Sequence, residues 1–223
     1  MVLTLAIDTS SVVTSVALHD GGRSDDQAVV QCVDEHAPHR HVELLAPAVE
    51  AVLQAAGCRP RDLGRVAVGV GPGPFTGLRV GLMTARALGH ALDVEVVGVG
   101  SLDAIAAQVV GSSVVVVTDA RRREVYWAQY AADGVALSPA AVDKPDALAE
   151  HLRASDFTGE VVGLGRSIYP DAFREFPGTA DVSPSAAWVA RLAAAGRGTS
   201  STAPLYLRRP DAQTPGPRKP VQP

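Results

Sequence analysis

Runs of apolar residues separated by turn-forming residues open the chain. Residues 3–8 are predominantly apolar and end at Asp8, and after a short polar break residues 12–18 alternate apolar with small polar side chains. Continuous apolar runs are typical of buried strands, and alternation is typical of strands with one buried face. Because residues 20–22 then bring the turn formers Asp-Gly-Gly, the pattern predicts a β-hairpin, and residues 28–33 offer a third strand.

Apolar residues at helical spacing follow these strands. Across residues 42–56 they recur every three or four positions with polar side chains between them, which predicts an amphipathic helix whose first turn is set or kinked by Pro47. The pattern next predicts a buried strand over residues 65–70, a helix over residues 76–90 and a strand over residues 94–99. Such alternation of strands and helices is typical of an α/β fold.

The second half of the chain begins by repeating the layout of the first. An apolar strand over residues 114–118 leads to Asp119, and a returning strand then reaches Asp133. The interval from aspartate to aspartate is 14 residues here and 12 residues between Asp8 and Asp20. A repeated strand-turn-strand followed by helix and strand patterns predicts two similar α/β lobes.

These repeats predict the domain organisation. We place a first lobe at residues 1–110 and a second lobe at residues 111–209, each a mixed sheet flanked by helices, with the boundary near Gly111. The second lobe includes helix and strand patterns over residues 145–153, 160–164 and 184–195. The last fourteen residues, 210–223, hold five of the sixteen prolines, which predicts a disordered tail.

Composition and charge narrow the class of protein. The chain has 223 residues, of which 47% are hydrophobic and 20% charged, so wholesale disorder, collagen and coiled coil are excluded. Its net charge of −4 argues against a chain that coats nucleic acid by itself, so contact with RNA needs a partner. The two cysteines, Cys32 and Cys58, favour reduced thiols in a cytoplasmic protein over a single bridge. The amino end has no basic leader and no apolar run reaches the length of a membrane span, so we expect neither export nor membrane insertion.

The most unusual stretch is the glycine loop, residues 69–81, which reads Gly-Val-Gly-Pro-Gly-Pro-Phe-Thr-Gly-Leu-Arg-Val-Gly. Glycines between a strand and a helix can present backbone N–H groups to an anion, so phosphate binding is one interpretation. The end of this loop lacks the Lys of a Walker loop, and the spacing of its glycines is one residue too long for a dinucleotide fingerprint. Pro72 and Pro74 also remove two of the backbone N–H groups that would bind the anion. A rigid turn that feeds a helix is therefore favoured.

The helix after the glycine loop has too little polar surface to lie on one sheet alone. Beside its apolar face it carries a second face of small residues, Gly77, Gly81 and Thr84. Either the helix over residues 42–56 covers this face, or both helices leave an apolar patch that binds another protein. On the second interpretation, Gly81→Arg leaves the monomer folded and abolishes association.

Histidines and arginines form two further groups. His36, His39 and His41 are spaced three and two residues apart, a loop arrangement that favours a solvated cluster at the start of a helix over a metal site. Three arginines stand at the predicted hairpin turn of the second lobe, where they are either solvated or a contact for phosphate or RNA. These are Arg121, Arg122 and Arg123.

Asp8 and Asp119 end the first strands of the two halves. Enzymes of the actin and sugar-kinase architecture hold Mg²⁺ through water with carboxylates in such places, and glycines around them let phosphates approach the backbone. Here Thr9-Ser10-Ser11 and Ala-Arg-Arg-Arg follow the aspartates, so neither loop is predicted to cradle a phosphate. The alternatives are an active Mg-ATP phosphotransferase using both aspartates, and a peptidase, for which no Ser/His/Asp constellation is found.

Four segments of the chain share the pattern of a known family. They are Asp8-Thr9-Ser10, residues 71–81, Asp119-Ala-Arg121 with Glu124-Val-Tyr-Trp127, and residues 204–208. Together they resemble the bacterial TsaB (YeaZ) family. The resemblance runs from the first strand to about residue 209, and the glycine loop is its most specific part. One departure is Pro74, where the family usually carries Ser.

The resemblance implies an α/β protein with the two-lobed actin/Hsp70-like (ASKHA) fold that has lost its own catalysis. It would act as a scaffold or activator of the transferase that makes tRNA threonylcarbamoyladenosine (t6A). A TsaD-like subunit would carry the metal, the nucleotide and the chemistry, and a TsaE-like ATPase would join the pair. We therefore expect no catalytic residue and no metal or cofactor on this chain alone, with degenerate loops at Asp8, Thr9, Ser10 and Asp119.

The resemblance also implies a partner surface on the helices of the first lobe, which makes a homodimer when the partner is absent. Contact with tRNA is expected only within the complex, with Arg121, Arg122 and Arg123 as candidates. The predicted interface residues are Leu44, Leu45, Ala48, Gly77, Val80, Gly81 and Thr84.

Overall fold

Two β-sheets, one near the start of each half of the chain, organise the protein. The computed structural model describes residues 2–24, 27–36, 40–109, 111–179 and 182–208. The first sheet has the order β3-β2-β1-β4-β5, with β1 to β3 antiparallel and β4 and β5 parallel to β1. Its strands are β1 (Leu3–Asp8), β2 (Val13–Asp20), β3 (Val29–His36), β4 (Arg65–Gly69) and β5 (Glu95–Val99).

Helices cover both faces of the first sheet. On one face α1 and α2 share a core with β1, β2 and β4, centred on side chains such as Leu5, Leu78 and Leu82. A short helix, α3, follows β5. Covering two faces explains why the central strands are apolar along their whole length. The three helices are α1 (His41–Ala55), α2 (Phe75–Leu92) and α3 (Ser101–Ala106), and Pro47 lies inside α1 beyond its first turn.

The second sheet repeats the hairpin of the first and is smaller. Its order is β8-β7-β6-β9, with β6 and β7 antiparallel and β9 parallel to β6. Side chains of α4 and α6 pack on it around Phe173, so this half has a core of its own. The elements are β6 (Val114–Asp119), β7 (Val125–Tyr130), β8 (Ala141–Asp143), α4 (Pro145–Ala154), β9 (Glu160–Val162), α5 (Gly165–Ile168) and α6 (Pro170–Phe173).

The end of the described chain returns to the first lobe, which corrects the predicted domain limits. Helix α7 (Ala186–Ala194) packs on the face of the first sheet opposite α1 and α2, against alanines and valines of β1, β2, β4 and β5. Beyond it, Thr199 pairs with Gly98, and Leu205 donates a backbone hydrogen bond to the carbonyl of Val70 (2.8 Å). Residues 186–207 therefore belong in space to the first lobe, although residues 111–209 were assigned to the second.

Most predicted elements agree with the structure, and the differences fall on short ones. The edge strand β8 and the single-turn helices α5 and α6 are absent from the sequence-based description, because three or four residues carry little periodicity. The predicted tail, 210–223, and residue 209 lie outside the described residues. Within the described ranges no helix combines the length and apolarity needed to cross a bilayer.

Candidate functional site

Asp8 lies at the carboxyl end of β1 and is completely buried. Its Oδ1 atom accepts hydrogen bonds from the amide (2.8 Å) and the hydroxyl (2.7 Å) of Ser10, and its Oδ2 atom accepts one from Ser101 Oγ (2.8 Å). Ser101 Oγ in turn accepts from the amide of Gly71 (3.1 Å). The carboxylate thus ties together the turn after β1, the glycine loop and the start of α3.

The glycine loop packs directly against the turn that holds Asp8. A Cβ atom on Gly69 would lie 1.9 Å from Asp8 Oδ2, and one on Gly73 would lie 2.4 Å from the carbonyl oxygen of Ser10. These contacts explain the glycines through close backbone packing inside the chain, without a phosphate. The loop leads into α2 directly after Pro74, as the interpretation of a rigid turn feeding a helix requires.

Burial raises the pKa of Asp8 above its ordinary value of 3.8, and the hydrogen bonds from Ser10 and Ser101 and the nearby charge of His41 oppose that shift without cancelling it. A raised pKa means that the ionised carboxylate is less stable in the folded chain than in the unfolded chain. The unfolding free energy therefore falls as the pH rises from about 3.8 through the folded-state pKa, and it is recovered as the pH falls.

Asp8→Asn is expected to remove this pH dependence, because the amide is neutral and close in shape. Urea unfolding of both proteins from about pH 4 to about pH 8 measures the difference. The stability of the variant should rise relative to the native chain as the pH increases through the Asp8 pKa, and the difference should then level off. Stability curves that run parallel across the range would contradict a raised pKa.

Asp119, the counterpart of Asp8 in the second lobe, sits in a different environment. It is partly exposed and accepts a hydrogen bond from the amide of Arg121 (2.8 Å), whose side chain also forms an ion pair with it (3.4 Å). The three arginines of this turn all have a left-handed backbone, with φ of 62°, 53° and 61°. This conformation is uncommon outside glycine, and the side chains of Arg121, Arg122 and Arg123 are exposed.

A hollow of about 300 Å³ opens beside these turns. Its lining comes from the turn after β1, the starts of α1 and α2, and Arg121 of the second lobe. Most of this lining is apolar or backbone. The side chains that define it include Val12, Val42, Phe75 and Val80.

His41 corrects the prediction of a solvated histidine cluster. It is 7% exposed at the start of α1, and its Nδ1 atom shares a hydrogen bond with Thr14 Oγ1 (2.7 Å). Its ring lies against the backbone of Gly77, where a Cβ would be 3.2 Å away. His36 is exposed at the end of β3, and His39 lies outside the described residues. No group of three or more metal-binding side chains occurs in the described part of the chain.

Two of the three glycines of α2, Gly77 and Gly81, face the chain's own interior, which corrects the predicted interface. Thr9 Oγ1 donates to the carbonyl of Gly77 (2.8 Å) and accepts from the amide of Gly81 (3.0 Å). A Cβ on Gly81 would lie 2.5 Å from that oxygen. The cover of Gly77 and Gly81 is the turn after β1, with the ring of His41 at the start of α1 beside Gly77. The interpretation of cover within the same chain is therefore the nearer one, although it named the helix and not the turn.

Four of the seven predicted interface residues are thus buried within the chain, and three keep exposed surface. The buried four are Leu45, Ala48, Gly77 and Gly81; the partly exposed three are Leu44, Val80 and Thr84.

Large apolar side chains that the sequence assigned elsewhere complete an exposed surface beside those three. Val42 is 72% exposed, Met83 50% and Phe75 43%. We define the α1–α2 face as Val42, Leu44, Phe75, Val80, Met83 and Thr84. Val42 stands three residues before Leu45, at the spacing of the buried stripe, so helical periodicity gives no signal of its exposure at the start of α1.

Comparison with known proteins relates this chain to proteins of tRNA threonylcarbamoyladenosine biosynthesis. The model of the family described as TsaD, tRNA N6-adenosine threonylcarbamoyltransferase, matches residues 32–175. An uncharacterised protein of Mycobacterium tuberculosis is 40% identical over 94% of this chain and 93% of its own length. The tRNA threonylcarbamoyladenosine biosynthesis protein TsaB of Escherichia coli is 33% identical over 77% of this chain and 75% of its own length.

Solved structures support both the family and the fold. YeaZ from Pseudomonas aeruginosa superposes with a TM-score of 0.75 at 28% identity, over 93% of this chain and all of that chain. An inorganic polyphosphate/ATP-glucomannokinase from Arthrobacter, at 17% identity and a TM-score of 0.50, shares the fold alone. The two mixed sheets flanked by helices confirm the predicted actin/Hsp70-like architecture. On the sequence identity to TsaB and the structural match to YeaZ, this chain belongs to the TsaB/YeaZ family.

Proposed function

We propose that the chain is a noncatalytic subunit of the machinery that makes t6A in tRNA. Its named relatives are biosynthesis proteins for this nucleoside. The observation that carries the noncatalytic part is the environment of Asp8. Both carboxylate oxygens accept hydrogen bonds from this chain's own serines, and the glycine loop packs against them. A carboxylate used in this way supports the fold, whereas a phosphotransferase presents it to Mg²⁺ and phosphate.

The chemistry is proposed to lie on a TsaD-like partner, with a TsaE-like ATPase joining the pair. In that arrangement ATP and the metal belong to the partner subunits. The family model that matches residues 32–175 is that of TsaD, so this chain and its proposed partner share a common fold. The H-x-x-x-H arrangement expected of the catalytic relative does not occur anywhere in this sequence.

The α1–α2 face is the proposed docking surface for the TsaD-like subunit. It combines exposed apolar side chains with the hollow between Val42, Phe75 and Val80, which offers a place for an apolar side chain of the partner. The same face is proposed to make a homodimer in the absence of the partner. An apolar patch of this kind is unusual on a monomer and typical of an interaction site.

Contact with tRNA is proposed only within the complex, in the cytoplasm. The net charge of −4 supplies little attraction for a polyanion. The exposed turn of Arg121, Arg122 and Arg123 is the proposed contribution of this chain, since arginines held on a turn can reach phosphate oxygens.

Depletion of this chain in the cell is expected to abolish t6A, which nucleoside analysis of bulk tRNA measures directly. Restoring the native chain should restore the nucleoside, and Asp8→Asn should restore it equally well, because a noncatalytic subunit does not need the carboxylate for chemistry. Unchanged t6A after depletion would contradict the role in this pathway. If a well-folded Asp8→Asn variant does not restore t6A, and the native chain alone turns over Mg-ATP, the phosphotransferase is favoured instead.

A further inference from the structure

A second, larger hollow lies at the opposite end of the first sheet from Asp8. It encloses about 850 Å³, within the range of sites that hold small ligands. The amino ends of β1 and β4 form one wall, at Thr4 and Arg65, and the carboxyl end of β2 adds His19, which is 4% exposed. The ends of α3 and α7 and the turn at Asp133 in the second lobe close it. We name this hollow the basal groove.

Arginines dominate the polar lining of the basal groove. Four of them line it, against a single carboxylate, Asp133, although the chain as a whole is acidic. Two are ion-paired with carboxylates outside the lining, and one side chain of each pair is more than half exposed, so these pairs are weak and exchange readily for another anion. The four are Arg23, which pairs with Asp20; Arg65, which pairs with Glu95; Arg191, which lies over Trp188; and Arg197, which donates a hydrogen bond to the carbonyl oxygen of Gly134.

The basal groove is also lined by an aromatic ring. Trp188 of α7 lines the groove, and the guanidinium of Arg191 lies 4.7 Å from the centre of its ring. The surrounding wall is apolar, from Ala106, Ala107 and Leu192. This guanidinium covers one face of the ring in the free chain, so a flat ligand with an anionic end would take its place on the ring while its anion pairs with the arginines.

We propose that the basal groove binds a nucleotide unit, with its phosphate on the arginines and its base against Trp188. Guanidinium groups pair with phosphate through two parallel hydrogen bonds, which makes arginine the preferred side chain for this anion. Any base can stack on an aromatic ring, so the site needs no particular sequence. The unit can come from a free nucleotide or from an RNA chain. The groove and its residues are separate from the site around Asp8 and from the α1–α2 face.

Titration of the full chain distinguishes these sources. The probes are AMP, inorganic phosphate and a single-stranded hexamer of adenylate, followed by calorimetry and by the amide shifts of the groove residues. The variants are Arg191→Gln, Arg23→Gln and Trp188→Leu, and the arginine variants keep the test valid should the tryptophan variant unfold. Arg153→Gln is the matched control, because Arg153 is exposed and paired with Glu175 in the second lobe.

We expect saturable binding of AMP that weakens about tenfold in each arginine variant, the factor that one charged hydrogen bond contributes, and is unchanged in Arg153→Gln. Tighter binding of the hexamer than of AMP identifies RNA as the source, and equal or weaker binding identifies a free nucleotide. No binding of AMP at millimolar concentration, or an equal loss in the control, overturns the proposal. Phosphate that binds as tightly as AMP overturns the role of Trp188.

Discussion

Gly81→Arg is expected to unfold the first lobe. A Cβ at this position would lie 2.5 Å from Thr9 Oγ1, which accepts the amide hydrogen of Gly81 and donates to the carbonyl of Gly77. The new side chain must displace Thr9, and the two hydrogen bonds are lost in a buried place. Overpacking and unsatisfied polar groups together cost about 3–5 kcal/mol, a large share of the stability of a typical domain.

Urea unfolding and the near-ultraviolet signal of the purified variants check this expectation. Ala87→Arg is the matched control, because Ala87 lies on the exposed side of the same helix and should change the unfolding free energy by less than about 0.5 kcal/mol. The smaller substitution Gly81→Ala should lower the unfolding free energy by an amount between those of Gly81→Arg and Ala87→Arg. A Gly81→Arg protein as stable as the native chain would contradict the internal packing of this face, and would restore the glycines as candidates for the interface.

Met83→Glu is expected to break the proposed association while leaving the fold intact. Met83 is half exposed on the α1–α2 face, so a carboxylate there meets water in the free chain. In a complex the same carboxylate would be buried against an apolar partner without a counter-charge. Loss of a central apolar anchor together with the burial of a charge weakens binding by at least about 2 kcal/mol, or roughly 30-fold.

The measurement is the affinity of the purified chain for the TsaD-like subunit, together with sedimentation of the chain alone to follow the homodimer. Leu137→Glu serves as the control, because Leu137 is a similarly exposed apolar residue in the second lobe, at 58%. It should leave both associations unchanged. Equal affinities of Met83→Glu and the native chain would place the docking surface elsewhere, whereas a drop in both variants would indicate a general loss of structure.

Elements with a strong local signal were predictable from the sequence. Strand β1 matches its predicted limits because its residues are apolar on both faces, and α2 matches within two residues because its helical period runs over five turns. The repeated hairpin was also visible, since strands, tight turns and terminal aspartates recur at similar intervals. The resemblance to the TsaB family came from four segments, of which the glycine loop is the most specific because its composition is rare.

The site was less predictable, because its geometry depends on contacts between distant segments. Thr9 meets Gly81 across 72 residues of sequence, and Ser101 meets Asp8 across 93. The sequence shows that α2 has an apolar face and a second face of small residues, but it does not show what covers the second face. His41 illustrates the same limit. A histidine at the start of a helix is usually solvated, whereas His41 is buried and shares a hydrogen bond with Thr14 of β2.

The sequence alone determined the α/β class, the two hairpins, the helices that flank them and the family. It could do so because those features follow from local periodicity and from one distinctive loop. Only the tertiary structure decided that α7 returns to the first sheet, that Gly77 and Gly81 of α2 pack on the chain's own turn, and that four arginines and a tryptophan meet in the basal groove. Each of these depends on which of several apolar faces pair in three dimensions, and the hydrophobic effect that drives the pairing has no direction of its own.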